Sequence, residues 1–510
     1  MLISQHISRD LIRLLVIFAL VKTGVHLYTN IFAGYGIFRD ELYYFACAEH
    51  LDYGYVDHPP LSVWILALVT SVLGDSLFAI RLFPALLSGL SIFMIGLTTA
   101  ELGGKKIAVS IVCIALLVSG IHLSYSTFYS MNVFDLTLWS VAIFLTVRLI
   151  KTQERVYWIY LGVALGLALL NKIGALFYGA GLFVALLATD HRKWFTAKWP
   201  YLTGLISLAL FSPYILWNMQ HDWAHLEFIH NASTQKYGGL SPATFWSGQL
   251  LINNPVTLPV SLAGLVYVFT EKNKAYRFMF IIFLVVATIL TINRTSKPEY
   301  LASIFPVLLA GGALQFEQWS ANRKWIGYAT LVLLATGVMA FPLALPILPA
   351  ETYIRYAAAV GIQGENSEGH SEGPLPQFYA DMFGWEEKAA AMANAYHALS
   401  LEEQKVCTLF GENYGRAGAI DYYADKYSIP KSIGGHNSYW IWGPGKATGE
   451  IVLVLSRDVG DKKKLFEQVE DLGPVPCTYC MPYENNLHLY LCRGLKKPID
   501  ELWPQVKGFI

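Results

Sequence analysis

Charge is what this 510-residue chain has least of: only 15% of its residues are Asp, Glu, Lys or Arg, against 55% hydrophobic. A soluble chain of this length needs far more charge on its surface, so a fully water-dissolved protein is excluded. Acidic and basic residues balance at 37 each, which leaves no net field to attract nucleic acid or another polyelectrolyte. Internal duplication, a feature of many transporters, is absent. No small-residue cleavage site follows the first apolar run, and Lys22 interrupts that run, so it reads as a retained anchor.

Long apolar stretches take the place of charge. They lie near 11–29, 78–101, 107–121, 132–150, 156–170, 173–189, 199–217, 249–270, 276–293, 298–316 and 325–345. Most approach the roughly 20 residues that a helix needs to cross about 30 Å of hydrocarbon. The stretch 61–73 is too short to span and reads as a helix at the interface. The expected fold is therefore mainly α: a polytopic bundle of about eleven spans over residues 1–346, followed by a small α/β soluble domain over 347–510. With the N-terminus inside, the inside segments carry fifteen Lys and Arg and the outside loops before 346 carry five. Positive charge favours the inside, so the C-terminal domain and the loop 30–77 are expected on the extracytoplasmic face of a plasma (inner) membrane.

That loop concentrates the polar chemistry. It holds Asp40, Glu41, Glu49, Asp52 and Asp57 against a single Arg39. An adjacent Asp–Glu pair beside a membrane can supply a general base or hold a divalent cation, and it can equally be the acidic first turn of a helix. Asp135 enters an apolar span, where an ionisable group is costly unless it is paired or functional. Lys172 closes one span and Lys297 and Tyr300 open another at the same face; singly, such lysines are often snorkelling anchors. Together, cations and carboxylates on one face suit an anionic, lipid-linked substrate.

The wording of these pieces resembles the glycosyltransferase family 39 and related family 83 membrane enzymes, which include protein O-mannosyltransferases and lipid A aminoarabinose transferases. The resemblance runs from about 30 to 316 through FRDELYY, DHPPLSVW, RLFPAL, FDLTL, LLNK and KPEYL, and continues in DMFGWEE, ENYGRAGAIDYY and GGHNSYWIWGP. It implies a GT-C fold that transfers a sugar, a mannose-like hexose or an aminopentose, from a polyprenyl-phosphate carrier to a lipid, protein or glycan acceptor, with inversion. On the same resemblance Asp40 is the expected base, with Glu41 its neighbour. Asp57 and His58 stand where relatives have an acidic residue and a Lys, a departure that shifts the phosphate-holding task toward Arg81, Lys172 or Lys297. Asp135 and Tyr300 match positions in the central cavity and at the carrier-lipid site. No cofactor is assigned, and a divalent cation is a possible one. The competing class is a secondary transporter or carrier-lipid flippase, since intramembrane charges also mark transport pathways.

Other features weigh less. The sequon at Asn231 arises often by chance. Cys477 and Cys480 lack the second pair or nearby His that a metal site needs. One or two disulfides among Cys407, Cys477, Cys480 and Cys492 are an expectation, as are free buried thiols. His221, Asp222 and His225 read first as a polar helix face and second as metal ligands. In the soluble part KVCTLF, EIVLVLS and LHLYLCRG read as strands, and GWEEKAAAMANAYHAL and DKKKLFEQVEDL as helices. Residues 364–377, rich in Gly, Glu and Ser, read as a linker.

Overall fold

The structure is a computed structural model and describes residues 7–236, 239–270, 273–362, 366–367, 370–371 and 373–510. Within the linker read at 364–377, residues 364, 365, 368, 369 and 372 lie outside the described residues. Six described helices are long and apolar enough to cross a membrane: Arg9–Phe32, Leu77–Glu101, Met131–Thr152, Trp199–Gln220, Lys274–Ile292 and Lys324–Leu343. Pro242–Ile252 and Pro255–Thr270 pass the same test only as a pair bent by 96°. The break falls where Pro255 has no N–H to give and Asn254 takes a left-handed φ of 70°. Shorter apolar helices are Leu61–Leu73, Lys106–Val118, Val156–Asn171 and Ala175–Leu187. Each apolar stretch of the sequence thus carries a helix. Large side chains such as Phe269 (81% exposed) and Leu20 (65%) point away from all protein, as lipid-facing positions do. The chain is a multi-pass membrane protein.

Inside the bundle, small residues set the helix spacing. A Cβ on Gly312 would stand 1.8 Å from the Val260 carbonyl oxygen, so the helices Leu258–Thr270 and Pro306–Asn322 meet backbone to backbone. Glu101 is buried with Arg148 at 3.1 Å, and Tyr157 accepts from the Arg148 Nε at 3.0 Å, so the charge is paired within the bundle.

The C-terminal part is built on a five-stranded mixed sheet. Two short strands, β1 (Asn366–Ser367) and β2 (His370–Ser371), precede it as a hairpin. The sheet comprises β3 (Cys407–Gly411), β4 (Ile433–Gly434), β5 (Ile451–Ser456), β6 (Phe466–Val475) and β7 (Leu487–Leu495), in the order β4-β3-β5-β7-β6. β3 is parallel to β4 and β5, while β7 is antiparallel to β5 and β6. Leu409, Leu453, Leu455, Leu489 and Leu491 face the helix Trp385–Ala398 in one core.

One expected helix is corrected. DKKKLFEQVEDL is helical only over Gly460–Leu465; from Phe466 the chain is the edge strand β6. The ladder to β7, with Phe466 opposite Leu495 and Val469 opposite Cys492, supplies backbone bonds and packing that outweigh helix propensity. Cys477 and Cys480 form a disulfide, while Cys407 and Cys492 are free.

The sheet module is fastened to the first loop. The helix Arg39–Glu49 lies against Tyr414–Tyr422, and a Cβ on Gly418 would come within 2.9 Å of the Leu42 side chain. Only glycine admits that approach, and it brings Tyr414 over the acidic turn.

Candidate active site

The Asp–Glu pair divides at once into two different groups. Glu41 is the third residue of its helix, and its Oε2 accepts from the Phe38 N–H at 2.8 Å, closing the helix start. The same carboxylate takes the Arg81 guanidinium at 2.9 and 2.7 Å and the Tyr129 N–H at 2.8 Å, with no solvent exposure. Arg81 spends a further bond on the Gly36 carbonyl at 2.9 Å. This bidentate pair ties the loop to the helix Leu77–Glu101 and to residue 129. Glu41 therefore has no oxygen left for a proton or a cation, and Arg81 is turned toward Glu41 and not into a ligand cavity.

Asp40, the neighbour, keeps 37% of its side chain exposed. Its Oδ1 accepts from the Tyr414 hydroxyl at 2.9 Å and lies 3.7 Å from the Arg39 Nε. Arg39 is itself anchored, at 3.4 Å from Asp381 and donating to the Tyr483 hydroxyl at 2.6 Å. Burial pushes the Asp381 carboxyl up to about 6, with Arg39 opposing the rise. Asp40 is thus the one carboxylate of the pair that is both held and accessible.

Asp57 sits on a second tyrosine. Tyr43 and Asp57 approach to 3.0 Å, and the Tyr43 hydroxyl also meets Ser438 Oγ at 2.8 Å. The rings of Tyr43 and Tyr414 contact at 5.0 Å, so the two carboxylates rest on adjoining rings. Between them Tyr44 is kept protonated, by burial first and then by the fields of Asp57 and Asp40. His58 is 1% exposed, stacked on Tyr44 at 4.7 Å, with Nδ1 on the Pro59 carbonyl. Its Nε2 lies 3.9 Å from Asp57 Oδ1.

A cavity of about 290 Å³ gathers several of the sequence-predicted residues. Asp57, Asp135, Lys172 and Tyr300 line it, together with Trp139 and His225. Its other wall is apolar, from Leu176, Phe177, Val286 and Leu290, which gives the space the two-sided character of an amphiphile site. Lys172 ends the helix Val156–Asn171, donates to Asn132 Oδ1 at 2.9 Å and stands 5.2 Å from the Tyr300 ring. Ser303 donates to Asp135 Oδ2 at 2.5 Å. Lys297 lies outside the lining, 3.9 Å from Glu299, and is an electrostatic neighbour of Lys172. Glu41, Arg81, His58 and Asp40 do not line this space.

The Asp40–Glu41 pair offers no chelate to a divalent cation. Glu41 is fully bonded, so the pair cannot chelate, and no cluster of three His, Cys, Asp or Glu suits a metal among the described residues. Residues to which the sequence reading gave no role are Tyr414, Tyr43, Ser438 and Trp139, and His225 was read as a polar helix face first and a metal ligand second. Tyr43, Tyr414 and Ser438 lie within FRDELYY, ENYGRAGAIDYY and GGHNSYWIWGP, but nothing local joins them: Tyr414 reaches Asp40 from 374 positions away.

A membrane-embedded helical bundle with this acidic loop and cavity is similar to the GT-C class of membrane glycosyltransferases. The sequence profile of the dolichyl-phosphate-mannose-protein mannosyltransferase family matches residues 57–217, a stretch that includes Asp57, Arg81, Asp135 and Lys172. The lipid A galacturonosyltransferase RgtD of Rhizobium johnstonii is 24% identical over 316 residues, 60% of this chain and 66% of that protein. The chain thus matches just under two thirds of that relative's length. ArnT from Cupriavidus metallidurans, in a crystal structure bound to undecaprenyl phosphate, aligns with a TM-score of 0.61 and 14% identity over 95% of this chain and 98% of that one. Its apo form gives 0.60. The fold is accordingly of the GT-C, ArnT-like type.

Proposed function

We propose that this protein transfers a sugar from a polyprenyl-phosphate carrier to an extracytoplasmic lipid, protein or glycan acceptor, with inversion at the anomeric carbon and Asp40 as general base. The observation that carries this reading is one accessible, tyrosine-held carboxylate, Asp40, joined through the adjoining Tyr414 and Tyr43 rings to Asp57, which lines an amphiphile-shaped cavity whose cation is Lys172. The neighbours point the same way: one relative is named as a lipid A galacturonosyltransferase, and one structure aligned over 95% of this chain holds undecaprenyl phosphate.

In this mechanism the carrier phosphate rests near Lys172 and Tyr300, with Lys297 adding to the positive field. Asp40 takes the acceptor hydroxyl proton as that oxygen attacks the anomeric carbon. The phosphate leaves as a stable anion and needs no acid, so the second carboxylate of a glycosidase is unnecessary. Glu41 and Arg81 act by fixing the loop, and Tyr414 by holding Asp40. Fixed cations near the departing phosphate lower the barrier by several kcal/mol.

The same reading sets the topology. Counting the bent pair once, together with Lys106–Val118, Val156–Asn171, Ala175–Leu187 and Pro306–Asn322, brings the crossings to eleven, with the N-terminus cytoplasmic and residues 347–510 outside. A 13-residue helix such as Lys106–Val118 covers about 20 Å, so the short spans need their flanking turns to complete the crossing. The test is transfer by purified protein from a synthetic polyprenyl-phosphate sugar to envelope extract. Incorporation that depends on the donor supports the reading, and none with any donor tried contradicts it.

A further inference from the structure

The face of the sheet turned away from the Leu409 and Leu453 core carries a second cavity. It measures about 320 Å³, floored by Phe410, Val452 and Val454 and roofed by Leu502, Trp503 and Val506. Protein interiors keep few voids larger than one water molecule, and this one has room for on the order of ten water-sized groups. The roof is anchored by bonds made outside that floor. Trp503 donates to the Trp440 carbonyl at 3.0 Å, and Trp440 donates to the Trp503 carbonyl at 2.9 Å. Past Val506, the Gly508 N–H meets the Gly435 carbonyl at 2.8 Å. These bonds fix the segment at the edge of the sheet, so the void is held open by the fold.

The lining decides what fits. Its polar side chains are Thr408, Glu412 and Lys462, and the two charges answer each other at 2.5 Å. Glu412 also takes Arg416 at 2.7 Å and Ser456 at 2.8 Å, and the Trp503 N–H is spent on Trp440. Such walls offer little to a sugar, a nucleotide or a phosphate, whereas an apolar cavity stays dry and takes up an apolar ligand. The membrane supplies one. Three residues past Val506, Phe509 is buried in one cluster with Tyr214 and Trp217 of the span Trp199–Gln220, and Lys507 meets Glu227 at 2.7 Å. We infer that this cavity binds one acyl chain of a bilayer phospholipid, with the Lys462–Glu412 pair, 15% and 27% exposed, at its polar edge. The site is distinct from the cavity at Lys172, with which it shares no lining residue. An acceptor lipid is the poorer fit, because its hydroxyl has to reach Asp40, which does not line this space.

The experiment uses the full chain in proteoliposomes whose phosphatidylethanolamine carries a photoreactive diazirine at the end of one acyl chain. After irradiation and digestion, mass spectrometry maps the adducts. They are expected on the lipid-facing spans and also on the peptides holding residues 452–454 and 502–506, which belong to the sheet module and to no span. Val454→Trp, which fills the void, should lose the adducts on those two peptides while keeping the span adducts and the melting temperature. Leu502→Trp is the second variant should the first prove unstable. Labelled spans with both module peptides bare overturn the inference, and so do undiminished module adducts in a folded, filled variant.

Discussion

The hydroxyl of Tyr414 donates to Oδ1 of Asp40 at 2.9 Å, joining the sheet-bearing C-terminal part to the acidic turn of the first loop. The Arg39 guanidinium lies 5.3 Å from the same ring, and the ring contacts Tyr43, so Tyr414 is fixed on two sides. The C-terminal part is therefore a component of the candidate site and not only a cap on the bundle.

Tyr414→Phe keeps the ring and removes the bond to Asp40. A hydrogen bond to a charged group is worth about 1.5–3 kcal/mol, so kcat should fall about tenfold or more with KM and melting temperature little changed. A drop in stability with unchanged kcat would make Tyr414 a packing residue only.

Glu41 and Arg81 should behave as structure. Arg81→Met leaves a buried carboxylate unpaired, at a cost of about 3–5 kcal/mol, and should lower yield and melting temperature sharply. The double change Glu41→Gln with Arg81→Met should recover part of the loss. Thermal unfolding of detergent-purified variants reads this, and a stable single variant would contradict it.

Lys172→Met should weaken undecaprenyl phosphate binding by about ten- to a hundredfold, the value of a charge-assisted contact, with the fold intact. Titration of the purified variant measures it. Unchanged affinity would move the phosphate elsewhere.

The sheet module carries its own acid-sensitive lock. Glu484 is buried, 3.0 Å from Lys388 and 3.1 Å from Arg416. Burial alone would raise its carboxyl, but Arg416 and Lys388 outweigh burial and hold it at about 2, below its ordinary 4.5. A depressed carboxyl stabilises fully above its unfolded value, and that stability is lost as pH falls from about 4.5 through about 2. Glu484→Gln should therefore melt well below wild type at pH 7, with the difference shrinking across that window. A constant difference down to pH 2 would show that the charge of Glu484 is not what matters.

Much of the architecture was legible because membrane helices are specified by composition: each apolar stretch carries a helix, including 61–73. Three of the expected strands form where Cys407, Ile451 and Leu487 begin apolar runs. Phe466–Val475 was not legible, because its strand state comes from pairing with a segment some twenty positions later and not from its own pattern. In the site, Asp57 stands out in the acidic loop and Asp135, Lys172 and Tyr300 stand out as polar residues within or at the ends of apolar stretches, and the structure gathers all four in one cavity. The unlike fates of Asp40 and Glu41 could not be read, since adjacent helix positions point about 100° apart and only the fold shows which one meets Arg81. Tyr414 and His225 stand in segments noticed in the sequence, but their contacts with Asp40 and with the cavity are long-range and carry no local signal.

The most direct measurement is turnover of Asp40→Asn against wild type, with a polyprenyl-phosphate sugar donor and melting temperature taken on the same preparations. Asparagine keeps the contact with Tyr414 but cannot take a proton, and general base catalysis is worth about 10²–10⁴ in rate. The account predicts a loss of that size in kcat at unchanged stability. A stable Asp40→Asn protein turning over within a few-fold of wild type would contradict it.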